Sequence, residues 1–387
     1  MAAVEVHELS GLRAMFLEDG AQQAAEVATE MVGFIRAAER SLDVAIYDFE
    51  AREGAPTAIG DALEAANARG VEVRVVFNME RCDNPADSRP MQAHAHEIDG
   101  LEVPTRGIHD TGNLMHHKYL VRDGSAVWTG STNWTNDSFT REENVLIELE
   151  DVPSLAADYS ANFEEIWTRE KVERTGAVGR EIAGRGDRRL RPYFAPFPPF
   201  LGHLVAGRIV EADRRLKIVS PVITSGAVLG TLCEHIARQS LDVGGAYDAT
   251  QMRQVQREWE RVPHNRWKIA AWKTIEPYLS GKESTPYRPG SVHDYMHAKF
   301  AVIDHEVVTG SYNLSKHGEI NAENLLHIVD NDVADRFAAF ADRIARRYAG
   351  GSDARGGGTV GDDQLSRGLD PARRDLRVVP DQPSEGL

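Results

Sequence analysis

Met115-His116-His117-Lys118-Tyr119-Leu120-Val121-Arg122-Asp123 returns later in the chain as Met296-His297-Ala298-Lys299-Phe300-Ala301-Val302-Ile303-Asp304. Each copy leads into a Gly-Ser-x-Asn, Gly130-Ser131-Thr132-Asn133 in the first and Gly310-Ser311-Tyr312-Asn313 in the second. Each then reaches a Glu-Asn ten residues past that asparagine, Glu143-Asn144 and Glu323-Asn324. Upstream, Ala38-Glu39-Arg40-Ser41-Leu42-Asp43-Val44 is echoed more weakly by Ala212-Asp213-Arg214-Arg215-Leu216-Lys217-Ile218. The copies lie one domain length apart, which denotes a duplicated domain and not a solenoid.

Outward from these motifs, strand and helix alternate. The first copy reads as helix 26–40, strand 42–47, helix 59–69 stopped at Gly70, and strand 71–77. That is a βαβ unit and calls for a sheet covered by helices. Residues 115–121 and 126–129 read as two strands joined at Asp123-Gly124-Ser125, and 296–303 and 307–309 repeat them. Amphipathic helices at 154–167 and 332–347 close the halves. The expected division is a first domain over 1–170, an exposed linker over 171–191, a second domain over 192–349 and a disordered tail over 350–387, which is poor in apolar residues. The stretch 192–200 (PYFAPFPPF) suits packing at the domain junction, or an aromatic lip at the mouth of a site. Residues 248–287, with Trp259, Trp267 and Trp272, read as a helical insertion without a counterpart in the first half.

The 387 residues are 42% hydrophobic and 27% charged, a globular composition. No window approaches 18 uncharged apolar residues, and the N-terminus lacks basic and apolar signal regions, so a cytoplasmic chain is expected. Two cysteines, Cys82 and Cys233, make neither a disulfide framework nor a metal knuckle. The net charge of −16 argues against general nucleic-acid binding, though a local basic groove is compatible with it.

Alternate residues of a strand share a face, so His116 lies beside Lys118 and His297 beside Lys299. His117 points away from the site or stands behind it. A histidine next to a lysine suits an anion: the lysine supplies charge, the histidine a nucleophile or proton carrier. The returning strands bring Ser131, Asn133, Ser311 and Asn313 to the same end, able to hydrogen-bond phosphoryl oxygens. Glu143 and Glu323 are each placed to receive an imidazole N–H. Asp123 and Asp304 complete the motifs at the turns, where a structural role fits best. His109, His116, His117, His293 and His297 do not make a zinc site, since a lysine would face the cation and no cysteine or acid completes the set.

The doubled His-x-Lys-x4-Asp, each followed by Gly-Ser-x-Asn, resembles the phospholipase D superfamily, over both halves of the chain. The resemblance implies two similar α/β/α sandwich domains related by a pseudo-twofold axis, with both motifs meeting in one site. It further implies metal-free and cofactor-free phosphodiester cleavage by one subunit. One histidine attacks phosphorus to give a phosphohistidine, and the other protonates the leaving alcohol. By analogy His116 is the nucleophile and His297 the acid and base, with Lys118, Lys299, Asn133 and Asn313 on the phosphoryl oxygens. The expected substrate is a phospholipid whose headgroup is cleaved or exchanged, with peripheral membrane contact. The alternative is a nuclease cutting DNA or RNA, and a catalytically silent scaffold is disfavoured by the two intact motifs.

Overall fold

The protein, a computed structural model, is described over residues 4–9, 11–79, 94–109, 113–236, 241–288 and 290–350. The first half contributes β1 (Glu5–Glu8), β2 (Leu12–Leu17), β3 (Ser41–Ile46), β4 (Glu72–Asn78), β5 (Thr105–Ile108), β6 (Lys118–Arg122), β7 (Ala126–Gly130) and β8 (Asn144–Leu149). Its helices are α1 (Ala24–Arg36), α2 (Thr57–Ala68), α3 (Ala95–Asp99), α4 (Asn136–Thr140) and α5 (Pro153–Arg169). The second half contributes β9 (Ala177–Val178), β10 (Ile182–Ala183), β11 (Arg189–Ala195), β12 (Arg215–Ser220), β13 (Asp242–Asp248), β14 (Ser280–Lys282), β15 (Phe300–Ile303), β16 (Glu306–Gly310) and β17 (Glu323–Val329). Its helices are α6 (Leu201–Val210), α7 (Gly226–Ile236), α8 (Ala249–Glu260), α9 (Arg266–Ile275) and α10 (Asn331–Tyr348).

Each half builds one mixed sheet, and the two sheets follow the same path. The first runs β1-β2-β8-β7-β6-β3-β4-β5, and the second runs β10-β11-β17-β16-β15-β12-β13-β14. Among the described strands, only the β3–β4–β5 and β12–β13–β14 pairings are parallel. Each sheet is buried on both faces, so its strands are apolar on both sides rather than alternating with polar residues. Along β3, Leu42, Val44 and Ile46 face a core with α1 and α2, while Ala45 faces the opposite core. That second core is shared. It holds α5 through Leu155, Tyr159, Phe163 and Ile166, and α10 through Val333, Phe337, Phe340 and Ile344, both packed between the two sheets. A third core covers the outer face of the second sheet with α6, α7 and Trp259 and Trp272 of α8 and α9. The expected pair of α/β/α sandwiches is therefore present, with the inner helix layers merged into one core.

Helix ends follow local chemistry. Gln23 and Glu26 close a capping box on α1, and the Asp330 carboxylate accepts from the Val333 amide at the start of α10. Polar contacts lock the halves together. The buried Lys282 ammonium pairs with Glu143 at 2.8 Å, and the Tyr348 hydroxyl donates to the same carboxylate.

Several expectations need correction. The helix placed over 26–40 ends at Arg36, because the Glu39, Arg40 and Ser41 amides are taken up by the Asp123 carboxylate. The stretch 171–191 is not an exposed linker throughout. Val172, Thr175 and Arg188 are buried, and Arg188 binds Asp330 at 2.9 Å. β11 begins inside that stretch and pairs with β17 over seven residues, the role that β2 plays against β8. The segment after it splits between the two readings given above. Tyr193 and Phe194 pack in cores, and Phe197 is exposed. The 248–287 insertion keeps one counterpart, since β14 takes the sheet position of β5. The tail from 351 onward and Cys82 lie outside the described residues.

Candidate active site

Both motifs begin before their strands, His116 two residues ahead of β6 and His297 three ahead of β15. Met115 and Met296 are not in β6 and β15; each bridges to the opposite half, Met115 to Ala322 and Met296 to Glu143. The His116 amide donates to the Ala322 carbonyl at 2.9 Å, and the His297 amide donates to the Glu143 carbonyl at 3.1 Å. The preceding amides are pinned from within each half, Met115 by the Asn78 side chain at 2.9 Å and Met296 by Asp248 at 3.1 Å. Asn78 and Asp248 end the matching strands β4 and β13, so each histidine is placed by the same construction.

The two imidazoles and two lysines converge. Burial, followed by the fields of Lys118, Lys299 and His297, holds the His116 imidazolium well below its ordinary pKa. Burial, then Lys299 and Lys118, does the same to His297. Lys118 and Lys299 are both 2% exposed, and each ammonium donates to the carbonyl of its own motif's histidine, at 2.9 and 2.7 Å. Burial pushes Lys299 down to about 7 and Lys118 well below the ordinary lysine value. The ring of Tyr47 stands against His116 with centroids 4.7 Å apart, and Lys118 Nζ lies 4.8 Å from the centre of that ring. Four groups that are cationic when protonated, crowded out of water, form a site that an anion would stabilise.

Each imidazole is gripped at Nδ1 by the opposite half, but not by the same chemistry. His116 Nδ1 lies 2.9 Å from the Glu323 carboxylate. His297 Nδ1 lies 3.1 Å from the Asn144 carboxamide oxygen, with Glu142 behind it at 3.4 Å. Burial pushes Glu323 up to about 8 and Glu142 up to about 7. The Asn144 amide nitrogen donates to Glu142 at 3.0 Å and to the Ser138 carbonyl at 3.2 Å, which turns its oxygen toward the ring.

The serines of the two Gly-Ser-x-Asn motifs do not face the cavity. The Ser131 hydroxyl donates to Asn144 at 2.7 Å, and the Ser311 hydroxyl donates to Glu323 at 2.6 Å. Both are fully buried, so they brace the groups that hold the imidazoles and are not free to bind phosphoryl oxygens. The glycine before each is required by a close approach. Gly130 has φ 155°, and a Cβ there would meet the Val145 carbonyl at 2.1 Å; Gly310 has φ 146°, with the Asn324 carbonyl at 2.3 Å. Asn133 and Asn313 are half-buried at the ends of these turns, and the Asn133 oxygen has no partner among the described residues.

Glu143 is the second correction. It faces Lys282 and Tyr348, not His297. The strand register shows why. Gly130 pairs with Leu146 whereas Gly310 pairs with Leu325, so the first half carries one more residue in this turn. Asn144 is thus the counterpart of Glu323, and the shared Glu-Asn spelling is out of step with the backbone. Asp123 and Asp304, although part of the motif, sit at the far end of the strand, roughly 16 Å beyond each lysine. Asp123 accepts amides of Glu39, Arg40 and Ser41, and Asp304 those of Asp213, Arg214 and Arg215. His117 is fully buried against Tyr119 and Phe194, and burial pushes its pKa down to about 3, so it packs as a neutral ring.

Sequence reasoning missed Tyr47, Asn78, Glu142, Asn144 and Asp248. The signal for Asn78 and Asp248 was present, as polar residues closing otherwise apolar strands. The signal for Glu142 was hidden by the extra residue in the turn.

The chain matches the family described as cardiolipin synthase, PLD-like domain, at residues 31–167 and again at 205–345. A mitochondrial cardiolipin hydrolase of Xenopus laevis is 32% identical over 133 residues, covering 34% of this chain and 56% of that protein. The human mitochondrial cardiolipin hydrolase is 34% identical over 132 residues, covering 34% of this chain and 47% of that protein. The chain thus spans about half the length of these curated relatives. Phosphatidylserine synthase from Haemophilus influenzae shares the fold, with a TM-score of 0.61 over 90% of this chain and 88% of that one at 13% identity.

Proposed function

The chain belongs to the phospholipase D-like family, and on that premise we propose that it is a phosphodiesterase cleaving glycerophospholipids through a covalent phosphohistidine. The observation that carries this reading is the pair of histidines, one from each half, both held at Nδ1 and surrounded by two buried lysines. A ring held at Nδ1 presents its Nε2 edge to a substrate.

In the first step His116 Nε2 attacks phosphorus and the bond from phosphorus to the leaving alcohol breaks. His297 gives that oxygen its proton. Glu323 keeps the proton of His116 on Nδ1 and balances the charge the ring acquires when phosphorylated. In the second step His297, now neutral, takes a proton from water. The water oxygen bonds to phosphorus, the nitrogen–phosphorus bond breaks, and phosphatidate leaves. An anionic phosphodiester restores the charged forms of His297, Lys118 and Lys299, so that His297 holds the proton it gives and the lysines stabilise the phosphoryl oxygens together with Asn133 and Asn313. General acid–base assistance of this kind contributes about 10²–10⁴-fold. The lysines stand where a metal would otherwise supply charge, so the activity is read as metal-independent. The names of the curated relatives point to cardiolipin, whose headgroup is joined through phosphodiesters.

The test is to incubate the protein with cardiolipin or phosphatidylcholine dispersions in EDTA, and in parallel with single-stranded DNA. Phosphatidate release with intact DNA supports the proposal. DNA cleavage with intact lipid overturns the substrate, and loss of turnover in EDTA overturns the mechanism.

A further inference from the structure

Beside the second motif lies a cavity of about 290 Å³ lined by Pro199, His203, Ser225, Gly226, Ala227, Lys268, Lys316 and Glu319. It adjoins the catalytic turn, because the Thr224 and Ser225 amides both donate to the Leu314 carbonyl, one residue past Asn313. Lys268 leans over the rings of Trp259 and Trp267, and its ammonium donates to the Thr224 carbonyl at 3.3 Å. Burial, then the like charge of Lys316, depresses the pKa of Lys268. The one carboxylate lining the cavity, Glu319, accepts from the Gly202 amide and the Tyr312 hydroxyl through one oxygen, and its other oxygen has no hydrogen-bond partner among the described residues. Gly226 and Ala227, the first residues of α7, line the same space, at the positive end of that helix.

The surface around it has the same character. Residues 261–275 carry four basic side chains and no acidic one, in a chain of net charge −16. Arg266 and Lys273, seven residues apart, share the outward stripe of α9. Trp267 lies on the flank between that stripe and the cavity, 47% exposed, while Trp259 and Trp272 of the same insertion are buried. A basic face with one exposed indole and a single lining carboxylate, Glu319, matches the headgroup layer of an anionic bilayer in charge and in polarity.

We propose that this face, formed by α9, Trp267 and the Lys268–Lys316 cavity, docks the protein on an anionic lipid surface, seating a headgroup phosphate between the two lysines and Trp267 at the headgroup level. This deepens the phospholipid reading and rests on it. It gives the insertion of the second half a task, which is to hold the catalytic turn against the bilayer.

The test separates docking from chemistry. The full chain is sedimented with phosphatidylcholine vesicles, with and without phosphatidylglycerol, and turnover is assayed separately on a short-chain monomeric phospholipid. Binding is expected only with the anionic lipid and is released by salt. Arg266→Gln/Lys273→Gln, on exposed positions that leave the fold intact, lowers partitioning roughly 30-fold, at about five-fold per cation. Lys268→Gln/Lys316→Gln and Trp267→Ser lower it as well. Monomeric turnover by the Arg266→Gln/Lys273→Gln variant stays at the wild-type level. Equal sedimentation with neutral vesicles, no sedimentation, or binding that ignores these variants would overturn the docking face while monomeric turnover persists. Oligonucleotide binding that these variants abolish would assign the face to nucleic acid and overturn it equally. Loss of monomeric turnover in the wild-type chain would instead strike at the phosphodiesterase reading.

Discussion

At the place where the second half offers His116 a carboxylate, Glu323, the first half offers His297 a carboxamide, Asn144, with the Glu142 carboxylate one layer further back. Three contacts around the two are matched: the lysine bonded to its own histidine carbonyl, the bracing serine, the backbone bond to the opposite half. On the proposed mechanism, the difference fits a division of labour between the rings. A carboxylate in direct contact favours a ring that becomes cationic and stays so while phosphorylated. An amide oxygen fixes the tautomer but supplies no full charge, which suits a ring that gives up a proton and takes one back.

The comparison is broken most directly at the rings themselves. His116→Ala should lower turnover roughly 10⁶-fold, the scale of losing a nucleophile that acts as part of a unit. His297→Ala should cost about 10²–10⁴-fold with an ordinary alcohol leaving group. It should lose much less with a nitrophenyl phosphodiester and should accumulate phosphorylated protein, visible by intact mass. Equal losses on both substrates, with no covalent species in either variant, would refute the division of labour.

Exchanging the supports is the next largest effect. Glu323→Gln should drop kcat about 10³–10⁴-fold, as when an imidazole loses its carboxylate. Asn144→Asp should change it less than about ten-fold while moving the pH profile, because it sets a second acid beside Glu142. A larger loss from Asn144→Asp than from Glu323→Gln would reverse the assignment of nucleophile.

Stability sharpens the same contrast. Burial raises Glu323 to about 8, against about 4.5 for a free glutamate. Between those values the folded chain binds a proton that the unfolded chain has released, so this carboxyl costs stability increasingly as pH rises across that window. The melting temperature of Glu323→Gln should therefore gain on the wild type from pH 5 to pH 8, while activity is lost. A difference that stays flat with pH would show that Glu323 is ionised throughout.

The smallest effect is expected at the motif aspartates. Asp123→Ala and Asp304→Ala each remove a carboxylate that collects three amides, worth about 1–3 kcal/mol of stability. The kcat of the folded fraction should hold. In both residues burial alone would raise the pKa, but the amides outweigh it and hold the carboxylates low. Their contribution is present above about pH 4 and fades on acidification.

Much of this was legible in the chain. The repeated His-x-Lys, the βαβ unit around Leu42 and Val75, and the closing helices each carry a local periodicity that the tertiary structure keeps. What escaped depended on register. Glu143 and Glu323 are spelled alike, yet a single added residue in the first turn moves Glu143 to Lys282 and brings Asn144 to the ring. Strand pairing decides such a step, and strand pairing is not written in spacing alone. The serines were misplaced for a related reason: a hydroxyl at the end of a strand can turn to the cavity or to the neighbouring strand, and the close approach allowed by Gly130 and Gly310 settles it. β2 and β11 were overlooked because Leu12–Leu17 and Arg189–Ala195 lie outside the repeated motifs, and the second contains Pro192.

The bonds by which His116 and His297 each reach across to the other half have one more implication. Two identical chains assembled about a rotation axis would be obliged to hand both rings the same partner, and any substitution at that spot would strike both at once. Joining the copies into one polypeptide lifts that obligation. Glutamate and asparagine can then occupy equivalent places, and the two rings become free to specialise.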